Sequence, residues 1–344
     1  MTLDQIKETL KGPDYDFLRA DGHLGENIMI LTLGGSHAYG TSTGTSDLDI
    51  RGCALNRKRE ILTGEKFEQV SDEQTDTVIY SFNKLIGLLS GCNPNTIELL
   101  GNRPEHYLYL SEAGRELLDK AHMFLSKRAV YTFGGYANQQ LRRLENKSAR
   151  LVGQAENEQH ILKTIEHACY DWKARYFPMP EDAVRLYTDR AVCEELESEI
   201  FMDITLRHYP LRDYAGLWSE MQSVVRSYAR TGKRNQNAIG HGKLGKHMMH
   251  LIRLYMMCLD ILEQERIVTY REKEHDLLME IRAGKYLDGA GQPIPEFFEM
   301  VDEYERRLEY AGENTSLPEQ PDEEEIRDFV ASVNERVVRG EIGN

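Results

Sequence analysis

The sequence predicts an α/β (α+β) chain: a small mixed sheet with its helices near the N-terminus, followed by a mainly helical region. Three observations carry this. Short apolar runs bounded by turn residues all fall before about residue 110. From Ser111 onward apolar residues recur at helical spacing, as in Leu117, Leu118, Ala121, Phe124 and Leu125. The chain has 344 residues, room for about two domains at roughly 100–200 residues each. The expected division is a catalytic domain over 1–110, a helical domain over 111–311, and a linker with a C-terminal helix over 312–344.

Residues 4–20 read as a helix that ends in the Asp21-Gly22 loop. Ile28 to Leu33 is an unbroken apolar run and reads as a buried strand. The alternation over Asp47 to Leu55 predicts a second strand, and Thr75 to Phe82 a third, with Val78 and Tyr80 on one face. Asn83 to Ser90 reads as a helix, stopped by Gly91-Cys92-Asn93-Pro94. Thr96 to Leu100 fits either a strand or the start of a helix. Helices are predicted over 159–176, 190–206, 213–230, 243–263, 273–283 and 296–311. A last one is predicted over 322–338, opened by Pro321-Asp322 and three glutamates where the helix dipole favours acids. Residues 312–320 read as a linker, and there is no internal repeat.

Five cysteines without a CxxC pair argue against a disulfide framework or zinc site and fit a reducing cytoplasm. The N-terminus carries acids and no long apolar core, so no signal peptide is expected. The longest apolar region, Met248 to Leu262, is interrupted by Arg253 and Asp260, so no membrane partner is expected either. A net charge of −15 argues against a broad duplex-DNA tracking surface. The charge is uneven, however. Between Met221 and Leu259 there is no acidic residue, while Arg226, Arg230, Lys233, Arg234, Lys243, Lys246 and Arg253 are present with His241, His247 and His250. Such an island suits a polyphosphate or a short RNA segment; it also fits a solvated helix face.

The richest stretch is Leu33-Gly34-Gly35-Ser36, ten residues, then Asp47-Leu48-Asp49. Glycines let backbone amides approach a phosphate closely, and Ser36 can add its hydroxyl. Residues i and i+2 of a strand face one side, so Asp47 and Asp49 can share a cation. Two uncompensated carboxylates on a buried strand would be costly without one. Alone, a Gly-Gly-Ser turn or an Asp-x-Asp pair is commonplace; together, after a buried strand, they read as metal-assisted chemistry on a nucleotide.

With these residues the chain resembles the nucleotidyltransferases of the DNA polymerase β superfamily, whose signature is a Gly-Ser turn, Asp-x-Asp, and a third carboxylate on a later strand. Asp76-Thr-Val-Ile-Tyr-Ser, Asn93-Pro94-Asn95-Thr-Ile-Glu98-Leu-Leu and the 245–254 segment look like the branch associated with RNA ligases and RNA repair. The superfamily resemblance covers roughly residues 25–100. It implies an N-terminal polymerase-β-like domain and a two-metal transfer. Mg²⁺, with Mn²⁺ as an alternative, would be held by Asp47, Asp49 and a third acid. An acceptor hydroxyl would attack the α-phosphorus of an NTP such as ATP, and Gly35 and Ser36 would hold the outer phosphates.

Asp76 is the favoured third acid, because an antiparallel neighbour of the Asp47–Leu55 strand would set it beside the pair. Glu98, between Ile97 and Leu99, is the alternative. His37 adjoins Ser36 and can donate to phosphate. In the helical region Lys243, Lys246 and His250 are candidate phosphate contacts, the last within a stripe of His247, His250 and Arg253 spaced i, i+3, i+6. Arg51 is placed to cross the site or pair with an acid. Arg142 and Arg143, near Tyr136 and Gln139, fit phosphate contact or an exposed face. The partners implied are a nucleoside triphosphate and an RNA or other nucleic-acid end. Transfer to a small molecule or protein side chain, and a non-catalytic nucleotide or RNA binder, are the rival readings.

Overall fold

Strand β1 (Ile28–Leu33) is buried at all six positions, and the sheet is built around it. The computed structural model describes residues 1–149, 158, 162, 176–178, 180, 183–190, 192, 198–229, 243–289 and 291–343. Helix α1 (Leu3–Thr9) and α2 (Phe17–Ala20) replace the single helix expected over 4–20. Pro13 starts a separate 3₁₀ turn after Gly12, since proline cannot continue the amide ladder.

After β1 come α3 (Gly35–Tyr39), β2 (Ile50–Ala54), α4 (Lys58–Thr63), β3 (Gln69–Asp72) and β4 (Thr77–Ser81). Then follow α5 (Phe82–Ser90), α6 (Pro94–Ile97), β5 (Tyr107–Leu110) and α7 (Glu112–Asp119). The five strands form one mixed sheet in the order β3-β4-β2-β1-β5. β2 and β5 run antiparallel to β1, β3 antiparallel to β4, and β2 pairs with β4 in parallel. Two of these strands escape the sequence reading. β3 is largely solvent-facing and carries no apolar run, and β5, Tyr107-Leu108-Tyr109-Leu110, is only four residues long and half-buried.

The chain continues through α8 (Arg128–Ala149), β6 (Val184–Arg190), β7 (Ser198–Ile204) and α9 (Leu211–Ala229). The last helices are α10 (Lys243–Gln264), α11 (His275–Arg282), α12 (Pro295–Asn314) and α13 (Glu323–Arg339). Four of the predicted helices match α9, α10, α11 and α12 closely. The helix predicted over 190–206 is overturned: β6 and β7 pair antiparallel there, with Tyr187 opposite Phe201 and their rings stacked at 6.0 Å. The short apolar run Ile200-Phe201-Met202, with β-prone Ile and Phe, outweighs the glutamate-rich propensity before it. The helix predicted over 159–176 lies, apart from residues 162 and 176, outside the described residues.

Two compact units divide the chain. The first gathers Met1–Ala137, His250–Glu280 and Glu299–Asn344; the second gathers Asn138–Met249 and Ile281–Phe298. In the first, Ile6, Leu10, Tyr15 and Leu18 from the N-terminal segment share a core with Leu31, Leu33, Tyr39, Ile50 and Ile79. α13 completes the same unit. Phe329 meets Phe82 edge-on at 5.9 Å, and Arg336 makes a fork of two 2.7 Å bonds to Glu116. Its N-cap is Asp322, which accepts from the Glu325 amide, as the acidic opening predicts. The 312–320 stretch is pinned down rather than loose: Leu317 is buried and Lys127 N–H donates to the Pro318 carbonyl at 2.9 Å.

Cys53, Cys92 and Cys258 are buried free thiols. Among the described residues no helix is long and apolar enough to cross a membrane. Phe329 is 4 % exposed. Phe329→Ala is expected to lower the unfolding free energy by about 3–5 kcal/mol, read as a shift of the urea midpoint; a shift under about 1 kcal/mol would show that α13 contributes little to this core.

Candidate active site

The sheet register explains why ten residues separate Ser36 from Asp47. β1 ends at Leu33, which pairs with Ile50 at the start of β2. The residues just beyond, Gly34 and Asp49, therefore face each other, and Gly34 N–H donates to the Asp49 carbonyl at 2.8 Å. The intervening segment makes α3 and a loop, then returns. β2 pairs in parallel with β4, with Ile50 opposite Thr77. That brings Asp76 alongside Asp49. The antiparallel neighbour expected from sequence is corrected to a parallel one, yet the two acids still meet because both strands start at the same end.

Asp47 and Asp49 precede β2 rather than lie on it, which corrects the predicted strand over Asp47–Leu55. Asp47 is exposed and therefore solvated. Asp49 has a side chain 18 % exposed and lies 3.7 Å from the Arg51 guanidinium. Arg51 also pairs with Asp76 at 3.1 Å and donates to the Asp76 carbonyl. Asp76 adopts φ 45°, a left-handed conformation that Asp tolerates, and its side chain is 54 % exposed. The cost of adjacent carboxylates is thus offset by a guanidinium and by water.

The glycines serve close packing as well as any ligand. A methyl group on Gly35, which sits at φ +52°, would lie 1.7 Å from Asp49 Oδ2; one on Gly34 would lie 2.8 Å from the Arg51 side chain. Asp49 thereby lies against the first residue of α3. Ser36 is buried within that helix, and its carbonyl accepts from Thr41 N–H at 2.9 Å. His37 is held neutral by burial, reinforced by the N-terminal ammonium and opposed by a backbone hydrogen bond to Ser46.

Glu98 is neither on a strand nor open to solvent. It begins a 3₁₀ turn, and its carboxylate accepts from Tyr39 Oη at 2.8 Å and from Arg253 Nη1 at 3.1 Å. Burial raises its pKa, while the Arg253 charge and the Tyr39 hydroxyl pull the other way. Arg253, the last member of the polar stripe of His247, His250 and Arg253 read from sequence, is 1 % exposed and lies in the core. The spacing could not show this, because a buried, fully paired arginine and a surface one share the same helical period.

His250 accepts from Arg253 Nη2 at 3.1 Å and meets the Tyr136 ring edge-on at 6.0 Å. Lys246 is exposed near the start of α10, in the second unit. The side chains of Lys243, Arg142 and Arg143, and residues 230–242, lie outside the described residues. Tyr39 is the residue that sequence reasoning missed; nothing distinguishes it there from any core aromatic. A cavity of about 510 Å³ adjoins the β1 end: Asn102 lines it and donates to the Leu33 carbonyl at 2.9 Å.

Among the described residues no three His, Cys, Asp or Glu side chains converge as a ready-made metal cluster. The donor set nevertheless suits Mg²⁺, which takes hard oxygens from one or two carboxylates and fills its shell with water and substrate phosphates. Asp47 and Asp49 supply such oxygens.

A buried strand ending in Gly-Gly-Ser, a short helix, and an Asp-x-Asp segment returning beside it define a polymerase-β-like nucleotidyltransferase arrangement. Residues 13–167 match the family described as RNA repair pathway DNA polymerase beta family, RlaP. The chain is also similar to an uncharacterized 38.9 kDa protein of the nrdC-mobD intergenic region of Enterobacteria phage T4, at 23% identity over 311 residues, 81% of this chain and 89% of the phage protein. No solved structure matches.

Gly35→Ala forces both a strained φ and a clash with Asp49. It is expected to cost about 1–3 kcal/mol of stability, read as a lowered midpoint in thermal unfolding; an unchanged midpoint would mean that Asp49 does not pack against Gly35.

Proposed function

We propose that this chain is a Mg²⁺-dependent nucleotidyltransferase that joins a nucleoside monophosphate, taken from an NTP, to a hydroxyl at an RNA end. The observation that carries the reading is the gathering of Gly35, Ser36, Asp49 and Asp76 at one end of β1, β2 and β4. The family match over residues 13–167 supports the chemistry and the association with RNA repair. When bound, Mg²⁺ or Mn²⁺ supplies charge neutralisation for the attacking and leaving oxygens.

Asp47 and Asp49 hold the metal. Gly35 and Ser36 contact the β and γ phosphates with backbone amides and a hydroxyl, and His37 adds a neutral donor beside them. The acceptor oxygen bonds to the α-phosphorus as the α–β bridging bond breaks, and pyrophosphate leaves. Asp76 takes the proton from the acceptor hydroxyl; it is preferred over Glu98 because its carboxylate is open to solvent, whereas that of Glu98 is enclosed by Tyr39 and Arg253. Of the helical candidates, His250 belongs to the same compact unit as the acids and is assigned to a phosphate oxygen; Lys243 and Lys246 belong to the other unit.

Incubation with each labelled NTP and Mg²⁺, with and without short RNA or DNA, is expected to place label on RNA. Asp49→Asn and Asp47→Ala are expected to reduce it by at least about 10²-fold. Label on a metabolite or on protein would move the acceptor to another class, and undiminished transfer by both variants would reject the site. Asp76→Asn is expected to lower the rate by about 10²–10⁴-fold, and more than Glu98→Gln does; the reverse order would make Glu98 the third acid.

A further inference from the structure

The cavity of about 510 Å³ beside the end of β1 has three walls: residues 100–104, the 3₁₀ turn at Ala121–Phe124, and the strap over 265–272 that leaves α10. The size suits a small-molecule site, which takes about 300–1,000 Å³. Backbone bonds set the strap in place. Thr269 N–H donates to the Gly101 carbonyl at 3.1 Å, Thr269 Oγ1 to the Glu98 carbonyl at 2.6 Å, and Arg271 N–H to the Tyr39 carbonyl at 3.1 Å. The lining is mixed: Leu100, Pro104 and Val268 are apolar, while Arg103 and Arg266 stand against Glu265 and Glu272. Carboxylates of that kind would repel a polyphosphate as much as the guanidinium groups attract it.

Arg103 has a particular posture in this wall. Its guanidinium lies over the Tyr270 ring, 3.6 Å from the centroid. Tyr270 is itself packed against Gly40, where a Cβ would lie 2.5 Å from the ring, and meets His106 edge-on at 5.7 Å. The edge of the guanidinium is engaged as well: Nη2 donates to Glu272 at 2.9 Å, and Nη1 lies 3.7 Å from Glu105. A fork already matched to carboxylates is a poor receptor for phosphate. The side chain is still 34 % exposed, so what it offers the cavity is its second flat face. A delocalised planar cation with one face open suits a stacked planar ring.

We propose that this cavity is a nucleobase subsite, in which a base stacks on Arg103 with Tyr270 behind it. Asn102 ties the subsite to the strand end that carries Gly35 and Ser36: it lines the cavity, and its amide donates to Thr32 Oγ1 at 2.8 Å and to the Leu33 carbonyl at 2.9 Å. The base belongs to the NTP or to the terminal nucleotide of the RNA acceptor, which present the same ring chemistry. The choice of these two sources rests on the nucleotidyl-transfer reading; the stack on Arg103 does not.

The test measures binding to the full-length protein by calorimetry, with each ligand added singly so that no transfer takes place. Each NTP is compared with ribose 5′-triphosphate, which has no base. A short RNA is compared with the same RNA carrying an abasic ribose at its 3′ or 5′ end. The base is expected to raise affinity by about 5–150-fold in one of these comparisons. Arg103→Met is expected to abolish that gain, and so is Arg103→Lys, which keeps the charge and loses the plane. Val268→Trp fills the cavity from the strap, leaves Arg103 in place, and is expected to abolish it too; it carries the measurement if the Arg103 variants do not fold.

A gain lost from the NTP comparison places the NTP base in the cavity, and one lost from the RNA comparison places the acceptor's terminal base there. A base-dependent gain that survives in folded Arg103→Met and Val268→Trp would overturn the proposal. So would an unmodified protein that binds the ligands with and without a base equally well. A gain that is lost as expected, in a protein that puts no label on RNA, would uphold the subsite and reject the transfer reading instead.

Discussion

The register that sets Leu33 opposite Ile50, and Ile50 opposite Thr77, decides what can meet at the end of the sheet. A strand's side chains alternate, so a slip of one residue would turn Asp49 away from Gly34 and expose Ile50, which is fully buried. Register is enforced by that burial. Ile30, Ile50 and Ile79 are inaccessible to solvent, one on each of the three strands that matter. The polar groups beyond them are located by the apolar ones behind.

Three arginines of this unit meet acids. Arg51 serves Asp49 and Asp76, Arg253 serves Glu98, and Arg271 reaches Asp260 at 2.5 Å. The arginines differ in what they leave available. Arg51 is only a quarter exposed, but its partner Asp76 faces water, so this pair can rearrange at modest cost. Arg253 is buried and Glu98 nearly so, and separating them would leave a buried charge uncompensated. The same chemical pairing therefore gives one adaptable contact and one fixed contact, side by side.

Much of this was legible in the chain. β1 was plain because six consecutive apolar residues before two glycines have few other fates, and Gly34, Gly35, Asp49 and Asp76 do converge. β2 was placed three residues early because Asp47 and Asp49 alternate with apolar neighbours as a strand would. The parallel pairing with β4 was hidden: β3 intervenes in the crossover with Val70 its single apolar residue. The buried role of Arg253 was beyond any spacing argument, because it depends on Tyr39 and Glu98, more than 150 residues away. The β6–β7 pair was missed through propensity, with glutamates before Ser198 outvoting the short apolar run after it.

α13 closes a core that begins with the first helix, and this has a consequence for how the molecule is made. A ribosome adds roughly 5–20 residues per second. Phe82 therefore emerges on the order of 10 seconds or more before Phe329 arrives to cover it. During that interval α5 presents Leu85 and Leu89 without their final packing, and Arg253 has yet to reach Glu98. The end of the sheet that carries Asp49 and Asp76 is among the earliest parts synthesised, and its unit is completed only with α13. A chain interrupted between β4 and α13 carries Asp47, Asp49 and Asp76 on a scaffold whose core still lacks Phe329.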